Sequence, residues 1–340
     1  MKLTKDLEHI LHHCNTLWEQ LRGKTIFITG GTGFFGKWIL ESFIYANETL
    51  DLKAQMIVLS RDPGSFLSFY PQFNKGYIGF VKGDILNFAY PAGPVDYIIH
   101  AATDMGGYQN IAQATTVYDS IVEGTRHVLE LARTKNVASM LHTSSGAVYG
   151  KQPHDLPLIN EVYMGAPDVY DNGAAYGEGK RAAEMLANIY YHQYGTPSKI
   201  ARCFAFVGPY FPTDSNFAVG NFIHDTINGH KIIIKGDGTP YRSYMYAADL
   251  TIWLWHILLN GQPVRPYNVG SDEAVSIAGI AQIVASFSPN EQKDITILTP
   301  PSGKPAARYV PDVKRAKEEL NLNIYTDIYE AIKRTIDFYT

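Results

Sequence analysis

Two side chains that could move a proton lie one helical turn apart in this sequence. Tyr176 and Lys180 fall within residues 174–194, whose periodicity predicts a helix. Residues four positions apart share one face of a helix. A phenol with its ordinary pKa of about 10 is a weak base near neutral pH, and a neighbouring ammonium stabilises the phenolate. The pair could therefore act as an acid–base group, although Tyr and Lys at this spacing are by themselves ordinary surface residues.

A hydroxyl group follows a second apolar run. Residues 139–143 predict a buried strand, which leads into the small-residue turn Ser144-Ser145-Gly146-Ala147. Such a turn exposes a hydroxyl at the carboxyl end of the strand. Ser145 could there hydrogen-bond an oxygen that changes between alcohol and ketone. Thr143, two residues earlier, is a candidate cofactor contact.

A glycine-rich turn lies between a predicted strand, residues 25–29, and a predicted helix, residues 37–45. Three glycines at this spacing allow a tight turn, a close approach of the backbone to a pyrophosphate, and close packing of helix on strand. The helix N-terminus adds free N–H groups and partial positive charge for the phosphates. The turn therefore predicts a dinucleotide site, with an ordinary glycine-rich turn as the alternative. Its candidate residues are Gly30, Thr32, Gly33, Phe34, Phe35 and Gly36.

The end of the second predicted strand bears on the choice of dinucleotide. A NAD-selective site usually places a carboxylate here, whereas this chain has Ser60 and Arg61. A guanidinium forms a charge-assisted fork with a 2′-phosphate, so the pair favours NADP over NAD. The alternative is a solvated Arg61, with Asp62 on the ribose. Other candidates for cofactor contact follow the third and fourth predicted strands; they are Asp84, Ile85, Ala101, Ala102 and Thr103.

The elements that would position these groups alternate along the chain. Short apolar runs at 25–29, 54–59, 78–81, 97–100, 139–143 and 199–204 predict strands, and helical stretches separate most of them. This alternation predicts an α/β fold, a Rossmann-like doubly wound parallel sheet with a smaller C-terminal α/β lobe. We expect an N-terminal helix in 1–23, a dinucleotide-binding domain at 24–205 to which 243–272 return, and a substrate lobe from 206–242 and 273–340.

Composition excludes several classes of protein. Of 340 residues, 46% are hydrophobic and 18% charged, which is typical of a globular chain. The net charge of -4 argues against nucleic acid or an anionic membrane as a partner. Two cysteines, Cys14 and Cys203, suggest neither a disulfide scaffold nor a metal site. With no secretion signal and no long apolar run, we expect a cytoplasmic protein.

Together these motifs resemble the extended short-chain dehydrogenase/reductases that modify nucleotide sugars. The resemblance rests on the glycine turn, Asp84-Ile85, the turn of Ser145, and Tyr176 with Lys180. It implies that the phenolate takes a proton from a sugar hydroxyl, usually at C4, while hydride leaves the same carbon. Ser145 would hold the oxygen, and Lys180 would bind the nicotinamide ribose and tune Tyr176.

The resemblance also implies a substrate and an assembly. The substrate would be a nucleoside-diphosphate sugar, whose diphosphate would be bound by Arg242 together with Asn216 and Arg308. Relatives often form homodimers through two helices, which here correspond to residues 118–135 and 174–194.

The chain departs from part of this family. Nucleotide-sugar 4,6-dehydratases usually carry an Asp-Glu pair directly after the catalytic hydroxyl, where this chain has Gly146 and Ala147; Ala205 replaces a common Asn. Without those acids, reversible oxidation at one carbon remains, as in a 4-epimerase or a 4-keto-6-deoxy-sugar reductase. A 4,6-dehydratase or a UDP-glucuronate decarboxylase-like enzyme is the alternative. A non-catalytic NAD(P)-sensing protein is a third possibility, but such proteins often lack the Tyr or Lys.

Overall fold

The computed structural model describes residues 2–103, 111–213, 217–288, 294–301 and 303–340. Its helices are α1 (Thr4–His13), α2 (Phe34–Thr49), α3 (Pro63–Phe69), α4 (Ala114–Lys135), α5 (Ala175–Tyr194), α6 (Ala218–Ile227), α7 (Ala247–Asn260), α8 (Ile277–Ala285), α9 (Lys314–Leu320) and α10 (Ile328–Tyr339). Its strands are β1 (Thr25–Thr29), β2 (Gln55–Ser60), β3 (Ile78–Lys82), β4 (Tyr97–His100), β5 (Ser139–Ser145), β6 (Ser198–Cys203), β7 (Phe206–Val207), β8 (Ile232–Ile234), β9 (Tyr241–Arg242), β10 (Met245–Tyr246), β11 (Pro266–Val269), β12 (Val275–Ser276), β13 (Ile295–Ile297) and β14 (Arg308–Tyr309).

Seven strands form one parallel sheet in the order β11-β6-β5-β4-β1-β2-β3. The prediction of a doubly wound α/β fold is therefore confirmed, and the six predicted strands agree with the structure within two residues at each end. The strand order reverses beside β1, which lies between β4 and β2. Ligands of such sheets bind outside the carboxyl ends of the strands at this point, which is where β1 leads into the glycine turn.

The sheet is apolar on both faces because helices cover both. Ile26 and Ile28 of β1 belong to a core cluster that includes Trp253 and Trp255 of α7. Phe27, between them, belongs to a second cluster with residues of α4. Successive side chains of a strand point to opposite faces, so a strand covered on both sides is an uninterrupted apolar run.

The N-terminal segment differs from the single helix expected within residues 1–23. Helix α1 ends at His13, and a separate 3-10 helix covers Trp18–Leu21. The amide of Asn15 donates to the carbonyl of His12 in the intervening turn. Asn and Thr side chains compete for backbone hydrogen bonds, so Asn15 and Thr16 favour a turn. Helix α1 packs on α7.

The remaining strands form three small sheets, β10-β7, β12-β9-β14 and β13-β8. These strands and α6, α8 and α10 follow the glycine- and proline-rich loops of the C-terminal half, whereas β11 pairs with β6 in the main sheet. The predicted boundaries of two lobes stay a prediction. None of the described helices has the length and apolar character needed to cross a lipid bilayer.

Candidate active site

The glycine turn after β1 leaves no room for side chains at its first and last glycines. Gly30 has φ +71°, and a β-carbon there would lie 2.5 Å from the carbonyl carbon of Ala101. A β-carbon on Gly36 would lie 2.3 Å from the carbonyl oxygen of Gly30. Gly33 is exposed, with only that same oxygen near, at 3.4 Å. The turn therefore presents bare backbone beside the N-terminus of α2, which suits a pyrophosphate.

The two aromatic side chains that follow the glycine turn pack against aromatic rings of a distant segment of the chain. The Phe34 ring packs edge-on to Phe211, with centroids 5.3 Å apart, and Phe35 packs against Phe206 at 5.1 Å. Thr32 is half-buried. These contacts fix the turn, so a bound dinucleotide would be met by backbone amides. Contact of Thr32, Phe34 and Phe35 with a cofactor stays a prediction.

At the end of β2, the Asp62 carboxylate is hydrogen-bonded to the N-terminus of α3. Asp62 caps α3 by accepting the amide of Ser65 at 3.1 Å, and the Ser60 hydroxyl accepts the amide of Asp62 at 3.2 Å. Arg61 is exposed, and Lys82 of β3, also exposed, is the register partner of Ser60. Hence this corner of the sheet combines a hydroxyl with two cations.

The other candidates for cofactor contact line the same carboxyl edge. The Asp84 carboxylate accepts the amide of Leu86 at 3.0 Å, and Ile85 lies against Gly124 of α4. The amide of Ala102 donates to Thr29 at 3.2 Å, following Ala101 at the end of β4. These residues are therefore held in place without a ligand, and their contact with one stays a prediction.

Two hydrogen bonds hold the ammonium of Lys180 in place. Its ammonium donates to the Thr143 carbonyl at 2.7 Å and to the Thr103 hydroxyl at 2.8 Å, and it lies 5.9 Å from the centre of the Tyr176 ring. Burial lowers the pKa of Lys180 to about 8. The residue thus stays mostly protonated at neutral pH and can stabilise a phenolate.

Ser145 ends β5 and begins the 3-10 turn Gly146–Tyr149, where its hydroxyl accepts the amide of Ala147 at 3.1 Å. The same hydroxyl donates to Tyr309. Tyr176 lies in the first turn of α5, packed on the cluster of Val117, Ile121 and Ala183. The next residue, Gly177, lies against the turn of Ser145, since a β-carbon there would be 2.9 Å from the carbonyl oxygen of Ala147. The structure therefore packs the start of the helix that carries Tyr176 and Lys180 against the turn of Ser145.

The motifs of the sequence assign no role to Tyr309, which directly follows the predicted diphosphate contact Arg308. Its phenol reaches Ser145 because β14 pairs with β9. Nothing in the chain near Tyr309 indicates this contact, since the pairing joins segments far apart in sequence. Its burial raises the pKa of the Tyr309 phenol.

Two of the three residues predicted to contact the diphosphate, Arg242 and Arg308, lie on the paired strands β9 and β14. Arg242 of β9 is half-buried and close enough to Tyr309 to interact with it electrostatically. The Arg308 guanidinium lies 4.6 Å from the centre of the Tyr241 ring, and its buried Nε has no hydrogen-bond partner in the described parts of the chain. Tyr241 lines a cavity of about 380 Å³. Asn216 lies outside the described residues.

A mostly buried ion pair joins β6 to α5, the helix of Tyr176, and a hydrogen bond from Ser144 joins the strand of Ser145 to the same carboxylate. Arg202 of β6 donates to the carboxylate of Glu184 on α5 at 2.7 Å, and the Ser144 hydroxyl donates to the same carboxylate at 2.5 Å. Arg202 also donates to the Tyr149 hydroxyl at 2.9 Å. Across the described ranges, no group of three His, Cys, Asp or Glu side chains is arranged to hold a metal ion.

Comparison with known proteins agrees with this geometry. The family model described as "NAD dependent epimerase/dehydratase family" matches residues 26–270. The chain is 28% identical over 320 residues to UDP-glucuronic acid decarboxylase 1 of Arabidopsis thaliana, covering 92% of this chain and 68% of that protein. It is 26% identical over 335 residues to a probable dTDP-glucose 4,6-dehydratase of Sinorhizobium fredii, covering 92% of each.

A solved structure shows the same fold. UDP-glucuronic acid 4-epimerase of Bacillus cereus, in complex with UDP-glucuronic acid and NAD, superposes with a TM-score of 0.75 at 20% identity, covering 92% of this chain and 98% of that one. The predicted resemblance to enzymes that modify nucleotide sugars is confirmed by the family match and these relatives. The chain therefore belongs to the NAD-dependent epimerase/dehydratase family, enzymes of the extended short-chain dehydrogenase/reductase type.

Proposed function

We propose that this enzyme oxidises and reduces one carbon of a nucleoside-diphosphate sugar, as a 4-epimerase or a 4-keto-6-deoxy-sugar reductase. The observation that carries the proposal is the convergence of Ser145, Tyr176 and Lys180 beside a turn whose next residues, Gly146 and Ala147, cannot exchange a proton. A bound nicotinamide supplies the acceptor or donor of hydride. The remaining steps fall to side chains of this protein.

In this proposal Tyr176 takes the proton of the sugar hydroxyl and returns it in the reverse direction. Ser145 donates a hydrogen bond to the same oxygen, which steadies it as it changes between alcohol and ketone. Lys180, held by Thr103 and Thr143, stabilises the phenolate through its charge. Arg242 and Arg308 would hold the diphosphate, because guanidinium forks match phosphate oxygens.

The names of the relatives support a decarboxylase or a dehydratase equally well. What favours simple oxidoreduction is the absence of an acid at positions 146 and 147, since a 4,6-dehydration must protonate the leaving hydroxyl. The three reactions give products of different mass. An epimer has the mass of its substrate, a dehydration product lacks water, and a decarboxylation product lacks carbon dioxide.

The test is to incubate the purified protein with NAD or NADP and, in separate reactions, UDP-glucose, UDP-glucuronic acid and dTDP-glucose, and to incubate it with NADH or NADPH and a dTDP-4-keto-6-deoxy sugar. We expect a product of unchanged mass or, with the keto sugar, consumption of NADPH. Tyr176→Phe should lower turnover about a hundredfold or more while the dinucleotide still binds. Loss of water or carbon dioxide from a substrate would overturn the proposal, and full activity of Tyr176→Phe would overturn the role of that phenol.

We further propose that the dinucleotide is NADP. Ser60, exposed Arg61 and the adjacent Lys82 offer a hydroxyl and two cations to a 2′-phosphate, whereas the Asp62 carboxylate is engaged with Ser65. The Bacillus cereus epimerase binds NAD, which supports a nicotinamide dinucleotide as the cofactor here but favours NAD over NADP.

A homodimer is the proposed assembly. Helices α4 and α5 pack on each other and leave large apolar side chains exposed, among them Tyr118, Met185 and Ile189. Exposed apolar side chains on a paired-helix surface favour contact with a second copy.

A further inference from the structure

The space beside Gly146 is filled by two aromatic rings. A β-carbon at this position would lie 2.6 Å from the Tyr309 hydroxyl and 2.7 Å from Cζ of Phe204. The two rings contact each other, with centroids 4.7 Å apart. Approaches this short force neighbouring atoms to move. Glycine is thus the residue that this packing accommodates directly after Ser145.

The Tyr309 hydroxyl also takes part in hydrogen bonding at the site. It lies beside the turn that Ser145 begins, 2.6 Å from the position of a β-carbon on Gly146, and it accepts a hydrogen bond from the Ser145 hydroxyl. The Ser145 oxygen in turn accepts the amide of Ala147. Pairing of Tyr309 with Arg242 across β14 and β9 fixes the ring in this place. Because burial raises the pKa of Tyr309, the phenol keeps its proton, so it can also act as a hydrogen-bond donor but cannot replace Tyr176 as a base.

We propose that Tyr309 is a positioning residue for Ser145, and that Tyr309 and Phe204 restrict the chemistry of this site by occupying the volume that an acid at position 146 would need. When the Ser145 hydroxyl turns to donate a hydrogen bond to the sugar oxygen, the Tyr309 hydroxyl turns as well and donates to the serine oxygen, while each keeps its own proton. The site then takes nucleotide sugars that exchange only hydride and a proton at one carbon. This inference rests on the proposed function.

Packing is tested without any substrate by a double-mutant cycle on thermal unfolding. Gly146→Ala alone should lower the unfolding midpoint by about 4 °C, as overpacking does in a chain of this size. In a Phe204→Ala background, Gly146→Ala should lower the unfolding midpoint by less than half as much, because removal of the Phe204 ring makes room for the added methyl group. Phe80→Ala, a ring truncation on β3, serves as the control background and should leave the cost unchanged. Equal costs in all three backgrounds would overturn the packing claim.

Positioning is tested with Tyr309→Phe, which keeps the ring and removes the hydroxyl. We expect kcat to fall about tenfold, the loss typical of one hydrogen bond, while KM and the unfolding midpoint stay unchanged. An unchanged kcat would overturn the positioning role. If the wild-type protein converted no nucleotide sugar, the proposed function would be refuted. The double-mutant cycle would still test whether the two rings fill the space beside Gly146. If the double-mutant cycle gave its expected result but the wild type removed water or carbon dioxide from a substrate, the proposed restriction to hydride and proton exchange would be refuted.

Discussion

At the scale of single residues, Arg61 is the side chain on which the choice of dinucleotide depends. It is exposed at the end of β2, where a carboxylate would select NAD, and the nearby Asp62 carboxylate caps α3. Ser60 and Lys82 are register partners at the same corner. A 2′-phosphate would thus meet positive charge and no free carboxylate here.

We expect Arg61→Ala to weaken NADPH binding about tenfold, because a charge-assisted fork to the 2′-phosphate is lost, and to leave NADH binding unchanged. Titration of nicotinamide fluorescence measures both dissociation constants. The control is Lys53→Ala, which removes an exposed charge, paired with Asp51, before β2. Equal affinity of the variant and the wild type for NADPH would count against NADP selectivity.

At the scale of elements, α5 is tied to the sheet behind the catalytic residues. Glu184 accepts from Ser144 of β5 and Arg202 of β6, and both members of the ion pair are mostly buried. The carboxylate lies two helical turns from Tyr176. The connection therefore sets the distance between the helix that carries Tyr176 and the strand that carries Ser145.

Glu184→Gln should lower the free energy of unfolding by about 3 kcal/mol, since it leaves the buried Arg202 guanidinium without its counter-charge. The matched control on the same helix is Glu178→Gln, whose pair with Arg181 is more exposed and should change stability by less than about 1 kcal/mol. Urea titration followed by circular dichroism measures both. If the two variants were equally stable, Glu184 would not have this structural role.

At the scale of the whole molecule, the outer face of α4 and α5 is the surface proposed to meet a second copy. Met185 is 58% exposed, and Tyr118 and Ile189 are each 38% exposed. Both helices carry residues of the candidate active site or pack on them, so a dimer formed here would support both sites.

Light scattering should find a dimer for the wild type and a monomer for the double variant Met185→Asp, Ile189→Asp, because two carboxylates in an apolar contact are costly to desolvate. Phe69→Asp on α3, where the side chain is 78% exposed, is the control and should stay dimeric. A monomeric wild type at micromolar concentration would refute this assembly.

The sequence by itself determined the features that depend on local geometry. Gly30 and Gly36 are required by a positive φ and by close backbone approaches, Tyr176 and Lys180 share a helix face through the helical period, and β1 is an apolar run because both of its faces are covered. Such rules act over a few neighbouring residues, so they can be read along the chain.

Tertiary structure alone decided the rest. Pairing of β14 with β9 brings Tyr309 to Ser145, and the Glu184–Arg202 pair joins α5 to β6. Contacts between segments distant in sequence depend on register and packing across the molecule, which no local periodicity encodes.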